Sequence, residues 1–491
     1  MGPMPQQDHP DLRPLSWRTE HADRFTLIVD GADYFVAVRE ALLKAQHSVM
    51  LIGWDFDTRI TLGEGGDGGP ERLGDFILWL ADRTPSLQIR LLRWDIGALK
   101  AIFRGDTMLT ILRWKAHPRI TLTLDGKHPP VASHHQKIVV IDDSIAFAGG
   151  IDMTMQRWDT RAHLDDDPRR KSPSGRPQGP WHDATSAFDG QAARAIGDLA
   201  RARWLAATGE ALQPCDHAHD CWPDSLQPTF SDMRLGIART IPKMDDQTPV
   251  REIEDAWIDM IARARNVIYA ESQYFASRRI AHAIAERLIE DDPPEIVIIN
   301  PKTADGWLEP IAMDTARAKL VEALQKIDRH GRLRLYHPVT EQRQDIYVHA
   351  KVTVMDDTIL RVGSSNFNNR SMRLDTECDI ILDAATSGNA HLTDEIAVLR
   401  NDLLGEHLGV SADQVAATLA QTGSLIATIE SMRGDGRSLV PYQIPTLSAA
   451  EEWLAENEIL DPNGPDEIFE SPAKRGLFKG WSRLKRRFTR R

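Results

Sequence analysis

The chain has 491 residues, enough for two domains or one large duplicated one. Hydrophobic residues make up 42% and charged residues 27%, ordinary for a globular chain, and the formal net charge of −13 argues against a general nucleic-acid binder, which needs clustered Lys and Arg. No run approaches the ~20 apolar residues of a membrane-spanning helix. Residues 1–17 lack the basic and apolar regions of a secretory signal, and Gln6 stands where a myristoylation site wants Ser or Thr. The expected location is therefore cytoplasmic with peripheral membrane contact; export without a signal peptide is also compatible.

In chain order, the first predicted elements are an apolar-periodic helix at Asp33 to Gln46 and a strand ending at Asp55. A Gly-rich turn leads to a helix near Glu71 to Asp82. Then come the strand LQIRLLRW, a helical stretch after Asp106, and a strand at Ile120 to Leu124. The segment HHQKIVVIDDSIAFAGG follows. The same order then returns: a helix at about Arg251 to Ala264, a strand ending at Glu271, and a helix around Ile280 to Glu290. After it come a strand at Glu295 to Asn300, a helix around Ile311 to Ile327, the strand RLRLY, and YVHAKVTVMDDTILRVGSSN.

Apolar runs alternating with amphipathic helices point to sheets covered by helices. The expected fold is α/β: two tandem repeats, each a mixed β-sheet flanked by α-helices, packed with pseudo-two-fold symmetry. The division predicted is a 1–24 extension, repeat 1 over 25–215, a linker over 216–245, and repeat 2 over 246–405. C-terminal helices and an acidic linker fill 406–472, and 473–491 is a basic amphipathic tail.

In the first copy His135, Lys137 and Asp142 are spaced H-x-K-x-x-x-x-D; His349, Lys351 and Asp356 repeat the spacing in the second. On a strand, i and i+2 share a face, so each His–Lys pair is co-facial, whereas Asp142 and Asp356 face the other way. A neutral imidazole can attack the phosphorus of a phosphodiester, and a protonated one can donate to the departing oxygen. Two lysines can hold the non-bridging oxygens. One motif supplies half of this set and two supply all of it. Two histidines on one phosphate titrate as a coupled pair, one starting neutral and one protonated.

The paired motifs resemble the signature of the phospholipase D superfamily. His134-His135-Gln136-Lys137 through Gly149-Gly150-Ile151-Asp152, then Arg157-Trp158-Asp159, is similar to the first motif of eukaryotic-type members. Glu271-Ser272-Gln273-Tyr274-Phe275 resembles their Glu-Asn-Gln-Tyr-Phe element, with Ser272 replacing Asn. Gly363-Ser364 through Asn366, Arg370 and Ser371, then Asp375-Thr376-Glu377, resembles their second motif. The likeness runs over roughly residues 25 to 405. It implies His135 as nucleophile and His349 as general acid and later base, an order that could be reversed. It also implies Lys137, Lys351 and Asn366 on the phosphate, with Asp152 at the position matching Asn366. Asp159 and Glu377 match the carboxylates that orient the histidines, whereas Asp142 and Asp356 are structural. No metal or other cofactor is required.

The substrate class implied is a phospholipid, cleaved to phosphatidic acid and a headgroup, with transfer to an alcohol as a further outcome. Phosphatidyl transfer of the cardiolipin synthase kind and a nuclease are the alternatives. Both half-sites lie in one chain, so a monomer suffices, and no nucleic acid is needed. The short stretch before the first repeat suggests a bacterial-type, minimal member. Trp54, Tyr274 and Phe275 fall at strand ends where they would line the site with Gln273. The Pro/Gly-rich segment from Arg157 to Trp181 reads as a lid or a wall at the substrate entrance.

Cys215, Cys221 and Cys378 are too few for a disulfide framework, and the loop from Cys215 to Cys221, with His217 and His219, matches no standard zinc spacing. The last nineteen residues carry nine positive side chains and no acid. Leu477, Trp481, Leu484 and Phe488 form one apolar stripe on that cationic helix, the pattern of a helix lying on an anionic membrane surface.

Overall fold

The computed structural model describes residues 15–446, apart from 64–65, 96–106, 131, 217–218, 245–246 and 305–312. The tail at 473–491 and the acidic stretch before it lie outside the described residues.

In the first half the strands are β1 (Arg18–Val29), β2 (Ser48–Gly53), β3 (Gln88–Trp94), β4 (Ile120–Asp125), β5 (Ile138–Ile141), β6 (Ile145–Gly149), β7 (Trp181–His182) and β8 (Ala184–Asp189). Helices α1 (Gly31–Leu43), α2 (Leu73–Arg83), α3 (Thr107–Ala116) and α4 (Gly190–Thr208) stand between or after them. The second half has β9 (Phe230–Ile241), β10 (Val250–Arg251), β11 (Val267–Glu271), β12 (Glu295–Ile299), β13 (Leu333–Val339), β14 (Tyr347–Val348), β15 (Val352–Met355), β16 (Ile359–Gly363) and β17 (Glu377–Asp383). Its helices are α5 (Glu252–Arg263), α6 (Arg278–Leu288), α7 (Thr315–Ile327) and α8 (Asn369–Arg373). The chain continues through α9 (Thr393–Leu408), α10 (Ala412–Thr422) and α11 (Leu425–Met432) to an edge strand, β18 (Ser438–Pro441).

The half-sheets are joined edge to edge. From the seam outward the first half runs β1-β8-β6-β5-β2-β3-β4, and the second runs β9-β17-β16-β15-β11-β12-β13 with β18 outside it. The connectivity is the same strand for strand. β1 and its counterpart β9 meet as a long antiparallel pair, from Arg18 opposite Ile237 to Phe25 opposite Phe230. A two-fold rotation relating the halves requires such a pairing of equivalent strands. In each half β2 or β11 runs parallel to its outer neighbour and antiparallel to the motif strand, so the sheet is mixed.

Alternate residues of these short apolar strands enter different cores, because a strand flips its side chains every residue. Ile138 and Val140 join a central core with α4 and α9, while Val139 and Ile141 join one with α1 and α2. In the second half Val352 and Val354 join the central core, whereas Met355 packs with α5 and α6. Helices thus cover both faces, which explains why the strands read as continuous apolar runs.

Two boundaries differ from the sequence expectation. Residues 18–24, placed in an extension, belong to β1, and residues 230–241, placed in the linker, form β9. Both strands are amphipathic only in part and carry charge at their solvent ends, which hides them from periodicity. The three cysteines are free thiols. Among the described residues no helix is long and apolar enough to cross a membrane.

Candidate active site

His135 and Lys137 stand in the extended lead-in to β5, and His349 and Lys351 in that to β15, rather than inside the strands. Each lead-in is held by a bond to the other half. The His135 N–H donates to the Thr376 carbonyl at 3.0 Å, and the His349 N–H to the His182 carbonyl at 2.7 Å. Thr376 and His182 each sit directly before a carboxylate, Glu377 at the start of β17 and Asp183 just ahead of β8.

Those carboxylates orient the histidines crosswise. His135 Nδ1 lies 3.0 Å from Glu377 Oε2, and His349 Nδ1 lies 2.7 Å from Asp183 Oδ2. With Nδ1 engaged, Nε2 of each ring is the atom presented to a reactant. Asp159, expected to orient a histidine, does not reach one of the pair. It is fully buried, accepts from the Trp181 N–H at 2.9 Å and Arg170 at 3.0 Å, and bonds to His163 Nδ1 at 2.9 Å. The reason is topological. The 157–181 excursion lies between the first motif's bend and β8, so the residue equivalent to Glu377 comes at Asp183. In Trp181-His182-Asp183, ahead of the apolar run of β8, the available signal was a carboxylate just before the pairing strand.

Each lysine folds back on the carbonyl of its own histidine. Lys137 Nζ donates to the His135 carbonyl at 2.8 Å and lies 3.3 Å from Asp152 Oδ2. Lys351 Nζ donates to the His349 carbonyl. A Cβ on Gly150, in the first half, would come within 2.4 Å of Asp183 Oδ1 and 3.4 Å of Lys351 Cδ, so the backbone there must be bare. The equivalent second-half residue, Ser364, donates its hydroxyl to Glu377 Oε2.

The electrostatics are unequal. Burial, then Lys137 and Lys351, hold the His135 ring well below its ordinary pKa. Burial and Lys351 do the same to His349. Burial brings the Lys351 ammonium down to about 7, against the pull of Asp183 and with the help of Lys137. Burial alone would raise Asp183, yet the His349 ring and Lys351 keep it below the ordinary carboxylate value. Burial pushes Glu377 up to about 8, despite hydrogen bonds from serine hydroxyls. Both histidines and Lys137 thus lie within electrostatic reach of Lys351.

Asp142 and Asp356 are structural, as their parity predicts. Asp142 accepts from the backbone N–H groups of Gln46, His47 and Ser48 at 2.5–2.9 Å. Asp356 does the same for Arg265, Asn266 and Val267 at 2.5–2.8 Å. Each ties the motif hairpin to the start of its neighbouring strand, from a backbone at φ 50°.

Asp152 Oδ1 accepts from the Trp54 N–H at 3.2 Å, and the Trp54 ring stacks on Trp94 at 5.7 Å. Asn366 Nδ2 donates to Gln273 Oε1 at 3.4 Å, and Gln273 Nε2 to the Tyr347 hydroxyl at 2.9 Å. Asn366 Oδ1 is buried with no hydrogen-bond partner among the described residues. Tyr274 packs beside Ala276, Ala304 and Met313. Phe275, expected to line the site, is instead fully buried in the second-half core against Phe367.

Trp181 was not foreseen. It stacks on Tyr347 at 4.5 Å, stands 5.3 Å from the His349 ring, and carries Arg157 over its face at 4.3 Å. The 157–181 segment thus reaches the His349 ring at its end. It is fastened by Arg161 to Asp402 and Glu406, and by Asp165 to Thr340.

The family model described as Phospholipase D matches residues 41–285, and the one described as Cardiolipin synthase, PLD-like domain, matches 257–398. The chain is similar to Phospholipase D A of Dictyostelium discoideum, 24% identical over 75% of this chain and 32% of that one. It is also similar to Phospholipase D alpha 1 of Carica papaya, 23% identical over 77% of this chain and 64% of that one. It therefore spans about a third to two thirds of the length of these relatives. Among solved structures, phosphatidylserine synthase of Haemophilus influenzae Rd KW20 superimposes with a TM-score of 0.55 at 13% identity, over 86% of this chain and 97% of that one. With twin motifs, duplicated connectivity and two matching family models, the chain belongs to the phospholipase D superfamily.

Proposed function

We propose that the protein is a phospholipase D that hydrolyses glycerophospholipids to phosphatidic acid and a free headgroup through a phospho-histidine. The observation that carries this reading is the crossed pair of histidine–carboxylate contacts, each with its own lysine hydrogen-bonded to the histidine carbonyl. His135 Nε2 attacks phosphorus, and the P–N bond forms as the bond to the headgroup oxygen breaks. That oxygen takes the proton of His349 Nε2. Neutral His349 then removes a proton from water, whose oxygen displaces His135. An alcohol in place of water gives transphosphatidylation.

The unequal carboxylates support this division of roles. Asp183, ionised beside His349 Nδ1, opposes the burial and the Lys351 charge that lower that ring's pKa, and so favours the imidazolium a general acid needs. Burial, Lys137 and Lys351 favour the neutral His135 ring, and Glu377, when ionised, accepts its Nδ1 proton and leaves the Nε2 lone pair free, which a nucleophile needs. Lys137, Lys351 and Asn366 hold the phosphate oxygens, and Trp54, Gln273 and Tyr274 bound the headgroup or glycerol side. Phosphatidyl transfer to a lipid alcohol uses the same intermediate; the cardiolipin synthase description of the second-half match favours it as the second reading.

The cationic tail, with its apolar stripe, would hold the enzyme on an anionic membrane. Deleting residues 473–491 is expected to reduce partitioning to anionic liposomes, and unchanged partitioning refutes that role. The activity itself is tested by incubating the protein with mixed phospholipid vesicles and ethanol beside a His135→Ala control. Phosphatidic acid and phosphatidylethanol that disappear in the control support the reading. Turnover of DNA or a simple diester without lipid products moves the substrate to a nuclease.

A further inference from the structure

Behind His349 lies a second set of titratable side chains that the proposed chemistry does not use. Asp30 stands between β1 and α1, His163 is in the 157–181 segment, His182 is in β7 and Glu406 is in α9. All four are buried, and one ligand-type atom of each lies within 4.8 Å of the others. His163 Nε2 is 3.5 Å from Asp30 Oδ2 and 3.0 Å from Glu406 Oε1. His182 Nδ1 is 3.3 Å from Asp30 Oδ1 and 2.9 Å from Glu406 Oε1.

We propose that Asp30, His163, His182 and Glu406 bind one first-row divalent cation, zinc in preference, as a structural site that locks the C-terminal helix and the 157–181 segment onto the base of the catalytic half-site. Four ligands at ~2.0–2.2 Å from a tetrahedral zinc lie about 3.4 Å from one another, and His163 Nε2 to Asp30 Oδ2, His163 Nε2 to Glu406 Oε1 and His182 Nδ1 to Glu406 Oε1, at 3.5, 3.0 and 2.9 Å, are near that spacing. Imidazole and carboxylate together suit zinc and its neighbours, whereas calcium and magnesium take oxygen.

Three further observations point to a cation. First, each ring is held from behind by a carboxylate, as metal-ligating histidines are. His163 Nδ1 meets Asp159 Oδ2 at 2.9 Å, and His182 Nε2 meets Glu271 Oε2 at 2.8 Å. Second, these supports are anchored in turn. Asp159 is paired with Arg170 at 3.0 Å, and Glu271 Oε1 accepts from the Tyr269 hydroxyl at 2.6 Å and contacts His407 Nε2 at 3.0 Å. Third, Asp30 is 1% exposed, yet its Oδ2 makes no hydrogen bond and points into the cluster. A buried carboxylate oxygen left this way is costly unless a cation meets it. Its other oxygen accepts from the Asp183 N–H at 3.0 Å, and Glu406 Oε2 is taken by Arg161 at 2.5 Å. Each carboxylate thus keeps one oxygen for the ion.

The site touches no reacting atom. It reaches the catalytic pair through backbone: the His182 carbonyl receives the His349 N–H, and Asp183 follows it in the chain. Among the described residues two other clusters compete for an ion: Asp142, His219 and Cys221, with a thiol among its donors, and His182, Glu271 and His407, which shares His182.

The test is metal analysis of the full chain, treated with chelator, incubated with zinc chloride and freed of excess by gel filtration. About one zinc per chain and a Tm raised by several degrees over the chelator-treated form are expected. His163→Gln and Asp30→Asn should lose the ion, while Cys221→Ser keeps it. Where these variants do not fold, cobalt(II) in the wild-type chain and in His407→Gln decides: tetrahedral visible bands without a thiolate charge-transfer band in both support this site, and a thiolate band, or loss of the bands in His407→Gln, overturns it. Failure to retain zinc, with an unchanged Tm, also overturns it and leaves the cluster as an ion network with doubly protonated rings. None of these readouts depends on lipid turnover.

Discussion

Replacing Asp183 by Asn should disable the general acid while leaving the fold in place. The carboxylate is fully buried and 2.7 Å from His349 Nδ1. With about 4 Å between the carboxylate and ring charges and an effective dielectric near 20, the ion-pair attraction is ~4 kcal/mol. A neutral amide keeps some dipole, so about 3–4 kcal/mol of imidazolium stabilisation is lost, roughly 10²–10³-fold in kcat. The assay is the initial rate on phospholipid vesicles, beside a diester whose leaving group is para-nitrophenolate. That group departs without a proton, so the loss on it should shrink to about tenfold or less. Asp159→Asn is the comparison: it should lower Tm, because it holds His163, Arg170 and the Trp181 backbone, but change kcat by less than about tenfold. Near wild-type kcat in Asp183→Asn, with a deep loss in Asp159→Asn, would refute the assignment.

His135→Ala and His349→Ala should each lower kcat by at least ~10³-fold, but only His349→Ala should still give a burst of para-nitrophenol, since the nucleophile survives there. A burst in His135→Ala instead reverses the two roles. Lys351 carries its charge below about 7 and loses it above, so KM for an anionic diester should rise as pH passes that value; Lys351→Arg should flatten the rise. Glu377 is raised from 4.5 to about 8 on folding, so the protonated carboxyl's advantage is present at low pH and lost as pH rises across that window. The Tm of Glu377→Gln should therefore gain on the wild type between pH 5 and pH 9, and a constant gap would sink the reasoning. Asp142→Ala strands three backbone N–H groups around a buried turn and should cost about 2–4 kcal/mol in denaturant unfolding, more than Asp356→Ala, two of whose three bonds are exposed.

Much of the site was legible because its chemistry is carried by short motifs at fixed spacing. The twin His–Lys pairs, the structural role of Asp142 and Asp356, and Glu377 all follow from residues local to one hairpin or its bend. Asp183 was misassigned to Asp159 because the two repeats differ in length between the bend and the pairing strand, and a fixed count cannot see an insertion. β1 and β9 were missed because half of each is a charged, part-exposed strand with no clean alternation. The Asp30–His163–His182–Glu406 cluster draws on four segments far apart in the chain, and its members carry no common spacing. Phe275 shows the opposite error: an aromatic beside a catalytic motif that the core claims.

The crossing of the carboxylates has a consequence for how such a chain can change. A histidine from one half is correct only in the presence of an acid from the other, at Glu377 for His135 and at Asp183 for His349. Neither half can lose its acid without silencing the other half's base, so the duplicated segments are bound to evolve as one unit. Equally, a chain severed between α4 and β9 should be inactive as separate fragments and regain activity only when the β1–β9 seam re-forms, making turnover a direct report of fragment complementation.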